Sequence, residues 1–285
     1  MIGAIIGDIA GSIFEIRESK NTFLEKRVTP REEKLKVMDI DYPLFTNECI
    51  YTDDTVLTIA IADAILSEKP YEDKLQEYGK KEVALGKDVF GRDRFGSGFM
   101  RWLEGKSDCK SRGNGAGMRV SAIGEYFDSL DKVMYEAELA TIPTHNTKES
   151  IECAQAVAGS VFLARTGYTK KDIKDFAQQV MGRSLDFDYD DLIDNYTFKM
   201  KGVNSIPQAI YIFLISDNFE DALRKSLSIG GDSDTIASIT CAIAESFYGM
   251  PENLRNHALN YLPKEYVEVL NNFENKQEIN QARDM

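Results

Sequence analysis

The chain has 285 residues, 43% hydrophobic and 28% charged, the balance of a globular protein that can bury a large core. Its 34 Lys and Arg against 47 Asp and Glu leave a formal charge of −13, the wrong sign for gripping a nucleic-acid backbone or an anionic membrane surface. No stretch approaches the roughly 18 consecutive apolar residues of a membrane helix, and no Pro/Gly/Ser-rich joint divides the sequence, so a single domain over 1–285 is expected. Cys49, Cys109, Cys153 and Cys241 are scattered without a CxxC pair, which suits reduced thiols and a cytoplasmic location. Oligomeric state is not legible.

Apolar residues recur at helical period along most of the chain and strand-like alternation is scarce, which predicts an all-α protein. The apolar opening from Met1 to Phe14 lacks a basic leader and carries Asp8 in its middle, so it reads as mature core rather than a signal peptide. Within it Gly3, Gly7 and Gly11 recur every fourth residue, a stripe on one helix face against which another backbone can lie closely. This first helix is expected to be central. From Arg17 to Tyr51 the periodicity gives way to charged and turn-forming residues including Pro30 and Pro43, and this 17–51 excursion is expected to be a lid or specificity loop.

Helical segments are predicted at 53–67, 71–85, 115–127, 131–141, 148–166, 169–181, 205–216, 219–229, 234–248 and 264–274. So many helices exceed one simple bundle, and no 20–50-residue period supports a solenoid. A compact orthogonal multi-helix array around a central helix is the expected architecture.

Two of these helices begin alike. Thr52-Asp53-Asp54-Thr55 precedes the apolar run from Val56, and Gly231-Asp232-Ser233-Asp234-Thr235 precedes the run from Ile236. Capping and the helix dipole explain one acid at each start, whereas two adjacent acids repel unless protons or a cation compensate them. An all-oxygen set without His or Cys suits Mg²⁺ or Mn²⁺, and four acids could hold two such ions; solvated acid clusters are the competing explanation. Gly113-Asn114-Gly115-Ala116-Gly117, ahead of Met118, is either a turn or a backbone cradle for an oxyanion at a helix start. His145 is either a satisfied structural histidine or a residue that orients a ligand, and His257 reads as ordinary surface.

In this order, Gly7-Asp8-x-x-Gly11-x-x-x-Glu15, Thr52-Asp53-Asp54-Thr55, Gly113-Asn114-Gly115-Ala116-Gly117-Met118-Arg119, Thr144-His145 and Gly230-Gly231-Asp232-Ser233-Asp234-Thr235 resemble the ADP-ribosylglycohydrolase family over about residues 1–250. Pro43-Leu44-Phe45 resembles its bacterial branch. The resemblance implies an all-α fold with two Mg²⁺ or Mn²⁺ ions at the base of an ADP-ribose cleft. Thr52, Asp53, Asp54, Asp232, Asp234 and Thr235 would be the metal ligands. Glu15, Asp53 and Asp54 would carry the chemistry, with Glu15 as general base, proton relay or metal ligand. Ser111, Gly113, Asn114, Gly115, Ala116, Met118 and His145 would contact the substrate.

The implied reaction is hydrolysis at C1″ of an ADP-ribose conjugate, on a protein side chain or a small molecule, through oxocarbenium-like charge. Thr147-Lys148 after Asn146, where relatives often carry His-Pro, and Arg112 beside the glycine loop, where relatives can carry an aromatic residue, depart from the pattern and bear on adenine stacking and substrate preference. The alternative on the same fold is a non-enzymatic ADP-ribose-binding or crystallin-like structural protein. A two-metal phosphoesterase suits the ions but not the glycine loop or Glu15.

Overall fold

The computed structural model describes residues 1–20, 29–106 and 109–283. Its helices are α1 (Ile2–Lys20), α2 (Arg31–Lys34), α3 (Asp53–Ser67), α4 (Tyr71–Ala84), α5 (Ser97–Leu103), α6 (Gly115–Met118), α7 (Ser121–Tyr126), α8 (Leu130–His145), α9 (Lys148–Arg165), α10 (Lys170–Met181), α11 (Tyr189–Asn195), α12 (Ile206–Leu214), α13 (Phe219–Ser228), α14 (Ser233–Tyr248), α15 (Glu252–Leu259) and α16 (Lys264–Arg283). Among the described residues there is no strand, only isolated bridges pairing Lys110 with His145 and Gly113 with Lys201. No helix among them is long and apolar enough to cross a membrane. None of the four cysteines is in a disulfide.

The glycine stripe decides how the centre is built. A Cβ placed on Gly3 would lie 2.3 Å from the Cys241 carbonyl oxygen, one on Gly7 2.2 Å from that of Ala237, and one on Gly11 2.5 Å from the Asp234 Cα. Partners that descend along α14 as the glycines ascend along α1 mean that the two helices run antiparallel, backbone against backbone. Both are sheathed by other helices, and Ile5, Ile6, Ile9, Ile236, Ile239 and Ile243 are buried in one continuous core.

Helix starts follow local chemistry. Thr52 caps α3, its Oγ1 accepting from the Asp54 amide at 3.4 Å. Asp232 stands at the cap position of α14 and makes no capping bond with its side chain, so its carboxylate is available elsewhere. The predicted 115–127 segment breaks into α6 and α7, because Arg119 and Val120 leave the helix between them. The segment predicted at 131–141 runs on to His145 through Pro143.

Of the expected lid, residues 21–28 lie outside the described residues. Its first residues, to Lys20, continue α1, and its later part contains α2 and a 3-10 turn at Leu35–Met38. That part is fastened to the body: Lys34 Nζ, buried, donates to the carbonyls of Ile193, Tyr196 and Ile229 at 3.0, 3.2 and 2.9 Å. The Arg224 guanidinium gathers the carbonyls of Val37, Asp39, Ile40 and Tyr42.

Candidate active site

Because α1 lies directly on α14, its acids meet the starts of α3 and α14. Asp8, wholly buried, accepts from the Thr52 amide at 2.9 Å, the Thr52 hydroxyl at 2.6 Å, the Thr55 amide at 3.1 Å and the Thr55 hydroxyl. One carboxylate on α1 thus satisfies the first donors of α3. Carboxylate oxygens of Asp8, Asp54 and Asp234 all lie within 4.8 Å of one another, as do those of Glu15, Asp232 and Asp234. Asp234 joins the two trios. Thr235 Oγ1 donates to Asp54 Oδ2 at 3.1 Å, while Asp54 Oδ1 is buried with no hydrogen-bond partner.

Burial and mutual repulsion act on this group together. Burial first, then the charges of Asp8, Asp232 and Glu15, pushes Asp53 up to about 7. Burial raises Asp232 to about 6 against the opposing hydrogen bond from Asn114, and it raises Asp8, Asp54 and Asp234 as well. An unpartnered buried carboxylate oxygen on Asp54, in one of two hard-oxygen trios that share Asp234, is the arrangement a pair of divalent cations relieves, so the residues fit Mg²⁺ or Mn²⁺.

A cavity of about 220 Å³ opens beside these acids, with Glu15, Thr52, Asp53, Arg92 and Asp234 in its lining. In its lining the Arg92 guanidinium pairs with Glu15 Oε2 and, through Nε, with Asp88 Oδ2 at 2.8 Å. Asp53 lines this cavity but belongs to neither trio.

The glycine loop does not line the cavity. It is joined to the acids by Asn114 Nδ2, which donates to Asp232 Oδ2 at 2.7 Å. Two of the amides expected for an oxyanion are committed within the protein: Gly113 N donates to Ser111 Oγ at 3.2 Å, and Asn114 N to the Met200 carbonyl at 2.8 Å. The Gly115 and Ala116 amides open α6 and have no acceptor inside that helix. Ala116 is fully buried. Met118 is buried, its sulfur 4.0 Å from Thr235 Oγ1. His145 is buried against the loop, and Ser111 N donates to the Thr144 carbonyl at 3.2 Å. His257 is on the surface, stacked on Phe45 with ring centroids 4.8 Å apart.

Three residues of this cleft are missing from the set expected from the sequence. Asp8 carried a signal, since an acid alone in an otherwise apolar helix costs free energy to bury unless it is partnered. Asp88 and Arg92 carried none, because they sit in an irregular stretch between α4 and α5.

A helical array built on an antiparallel central pair, with two acid trios, one of them hydrogen-bonded to a glycine loop, defines a class of protein. Residues 1–283 match the ADP-ribosylglycohydrolase family, and the chain belongs to it. It is 26% identical to ADP-ribosylhydrolase ARH3 of Mus musculus, over 88% of this chain and 83% of that protein. It is 21% identical to ADP-ribosylarginine hydrolase Tri1 of Pseudomonas putida, over 88% of this chain and 70% of that one. Among solved structures, an ADP-ribosylglycohydrolase-related protein complex superposes with a TM-score of 0.65 at 18% identity, covering 95% of each chain.

Proposed function

We propose that the protein is a divalent-metal-dependent hydrolase that cleaves the glycosidic bond at C1″ of ADP-ribose conjugates, on protein side chains or on small acceptors, and releases ADP-ribose. The observation that carries this reading is the bond from Asn114 to Asp232, which ties the glycine loop directly to one of the two acid trios. Asp54, Asp232 and Asp234, with Thr52, Asp53 and Thr235, would hold two Mg²⁺ or Mn²⁺ ions, and Asp8 would support them from α1. Such ions supply positive charge for ligand oxygens and lower the pKa of water, in a protein whose net charge of −13 otherwise opposes a diphosphate.

The protein's own groups do the rest. Glu15 lines the cavity with one carboxylate oxygen held by Arg92. Its other oxygen would take a proton from water or return one to the leaving group, help worth roughly 10²–10⁴ in rate. Asp53 and Asp54 would place negative charge beside the developing oxocarbenium. Ser111, Gly113, Asn114, Gly115, Ala116, Met118 and His145 would seat the nucleotide and exclude water from it.

The two named relatives favour different acceptor descriptions, one arginine-linked and one unspecified, and substrate release separates them. ADP-ribose release is measured from arginine-, serine- and O-acetyl-linked substrates with Mg²⁺, Mn²⁺ or EDTA, for wild type and Asp54→Ala. Metal-dependent release lost in the variant supports the reading. Tight ADP-ribose binding without release from any of the three moves the protein to a binding role.

A further inference from the structure

Behind His145 lies a polar chain, Arg119 and Thr144, to which the proposed reaction gives no role. Arg119, between α6 and α7, is fully buried, although arginine is among the residues least often found so. Its Nη2 donates to the Ala140 carbonyl at 2.7 Å and to Thr144 Oγ1 at 2.9 Å, while Nε and Nη1 have no hydrogen-bond partner. No carboxylate among the described residues forms an ion pair with it. Thr144 Oγ1 in turn lies 2.6 Å from His145 Nδ1. The other edge of the imidazole faces the loop: a Cβ on Gly113 would lie 3.5 Å from Nε2, and one on Gly115 3.6 Å from it.

We infer that Arg119 and Thr144 are positioning residues that lock His145 as a neutral Nε2–H donor aimed at an anionic oxygen of the ligand seated on the glycine loop. The direction of the chain follows from what each group can do. A guanidinium only donates, so the Thr144 oxygen accepts from it. The Thr144 hydroxyl then has its own hydrogen to place. Among the described residues the acceptor within reach is His145 Nδ1, since the hydroxyl makes no further bond. If Nδ1 carried the proton instead, a buried hydroxyl hydrogen would be left without an acceptor, at a cost of about 1–3 kcal/mol.

With Nδ1 accepting, a neutral imidazole carries its hydrogen on Nε2. Burial, and then the charge of Arg119, pulls His145 down to about 3, so the ring stays neutral at physiological pH. Arg119 itself is lowered by burial, against the opposing charge of Asp53, to about 9 and remains cationic there. Its charge, attracted by Asp53 but held in no ion pair, polarises the relay toward the loop, which favours an anionic acceptor over a neutral one. His145 is therefore an orienting donor.

The ligand half of this inference rests on the proposed function; the tautomer half does not, and one experiment separates them. Long-range ¹⁵N–¹H correlation spectra of the ligand-free full chain, labelled at histidine and assigned with His145→Gln, read the two ring nitrogens directly. The expected result is an unprotonated Nδ1 and a protonated Nε2 in wild type and in Thr144→Ser, with a mixture of tautomers in Thr144→Val. ADP-ribose titrated by calorimetry is expected to bind Thr144→Val about tenfold more weakly than wild type, with Thr144→Ser restored. A protonated Nδ1 in wild type overturns the relay, whether or not ADP-ribose binds. So does an unchanged tautomer in a folded Thr144→Val; if that variant does not fold, the wild-type and Thr144→Ser spectra decide. The expected tautomer in a protein that binds no ADP-ribose keeps the relay and overturns the nucleotide reading instead.

Discussion

Asp54 and Asp234 show at the residue scale how a site and a stability cost coincide. Each is buried beside other acids, and each is held short of ordinary ionisation by that burial. Asp234→Asn keeps the shape and removes one charge, so it is expected to abolish Mn²⁺ binding while leaving the metal-free protein as stable as wild type or more so at pH 7. Calorimetric titration with Mn²⁺ and thermal melts in EDTA read the two halves; retained tight binding of two ions would sink the ligand assignment. Glu15→Gln is expected to spare the fold and slow turnover roughly 10²-fold or more. If Arg92 serves turnover through its pairing with Glu15, Arg92→Ala should slow turnover less, and in combination with Glu15→Gln should add nothing. Additive losses in that double-mutant cycle would give Arg92 a separate role.

Residue identity was the more legible half of the site. Paired acids and hydroxyls at two helix starts announce an oxygen-ligand cluster, and no spacing rule adds Asp8 to them, because residues 8, 54 and 234 are neighbours only in space. Asp53 illustrates the converse. Adjacent to Asp54 in the chain, it points into the cavity rather than into a trio, since successive residues of a helix start face different directions.

At the scale of elements the α1–α14 contact carries the structure, and it tolerates no side chain. Gly7→Ala would drive a methyl onto the Ala237 carbonyl, where 2.2 Å is available. The expected cost is about 1–3 kcal/mol or more, read as a lower urea midpoint with an unchanged m-value. Divalent-cation affinity should fall with it, because the same contact holds Asp8 and Glu15 to the start of α14. Wild-type stability in Gly7→Ala would mean that the helices can part without loss. Elements with strong apolar periodicity and a cap were readable, α3 at 53–67 and α9 near 148–166 among them. The seven-residue helices α5 and α11 were not, being too short for a period to register. The break at Arg119 was missed because a buried arginine does not announce itself in a pattern of apolar residues.

For the whole molecule, the raised carboxyls make metal-free stability a function of pH. Asp53 near 7 and Asp232 near 6 keep protons in the folded protein that an ordinary Asp, near 3.8, has released. Between about pH 4 and pH 7 the folded state therefore binds more protons than the unfolded one, and stability falls as pH rises through that window. Mg²⁺ should raise the melting temperature more at the upper end than at the lower, because the ion competes with those protons. Melts in EDTA and in Mg²⁺ across the window check this; a melting temperature that climbs with pH in EDTA contradicts the clustered charge.

The sequence by itself determined the longer periodic helices, the Thr52 cap, the glycine stripe and the kind of atoms offered to a ligand, since these depend on residues a few positions apart. Only the tertiary structure decided which acids meet, that Arg92 closes on Glu15, that Asn114 bridges loop to acids, and that Arg119 lies buried behind His145. Coulomb and hydrogen-bond energies depend on separations of a few ångströms, and the chain reaches those separations between residues more than a hundred positions apart only by packing α1, α3 and α14 together.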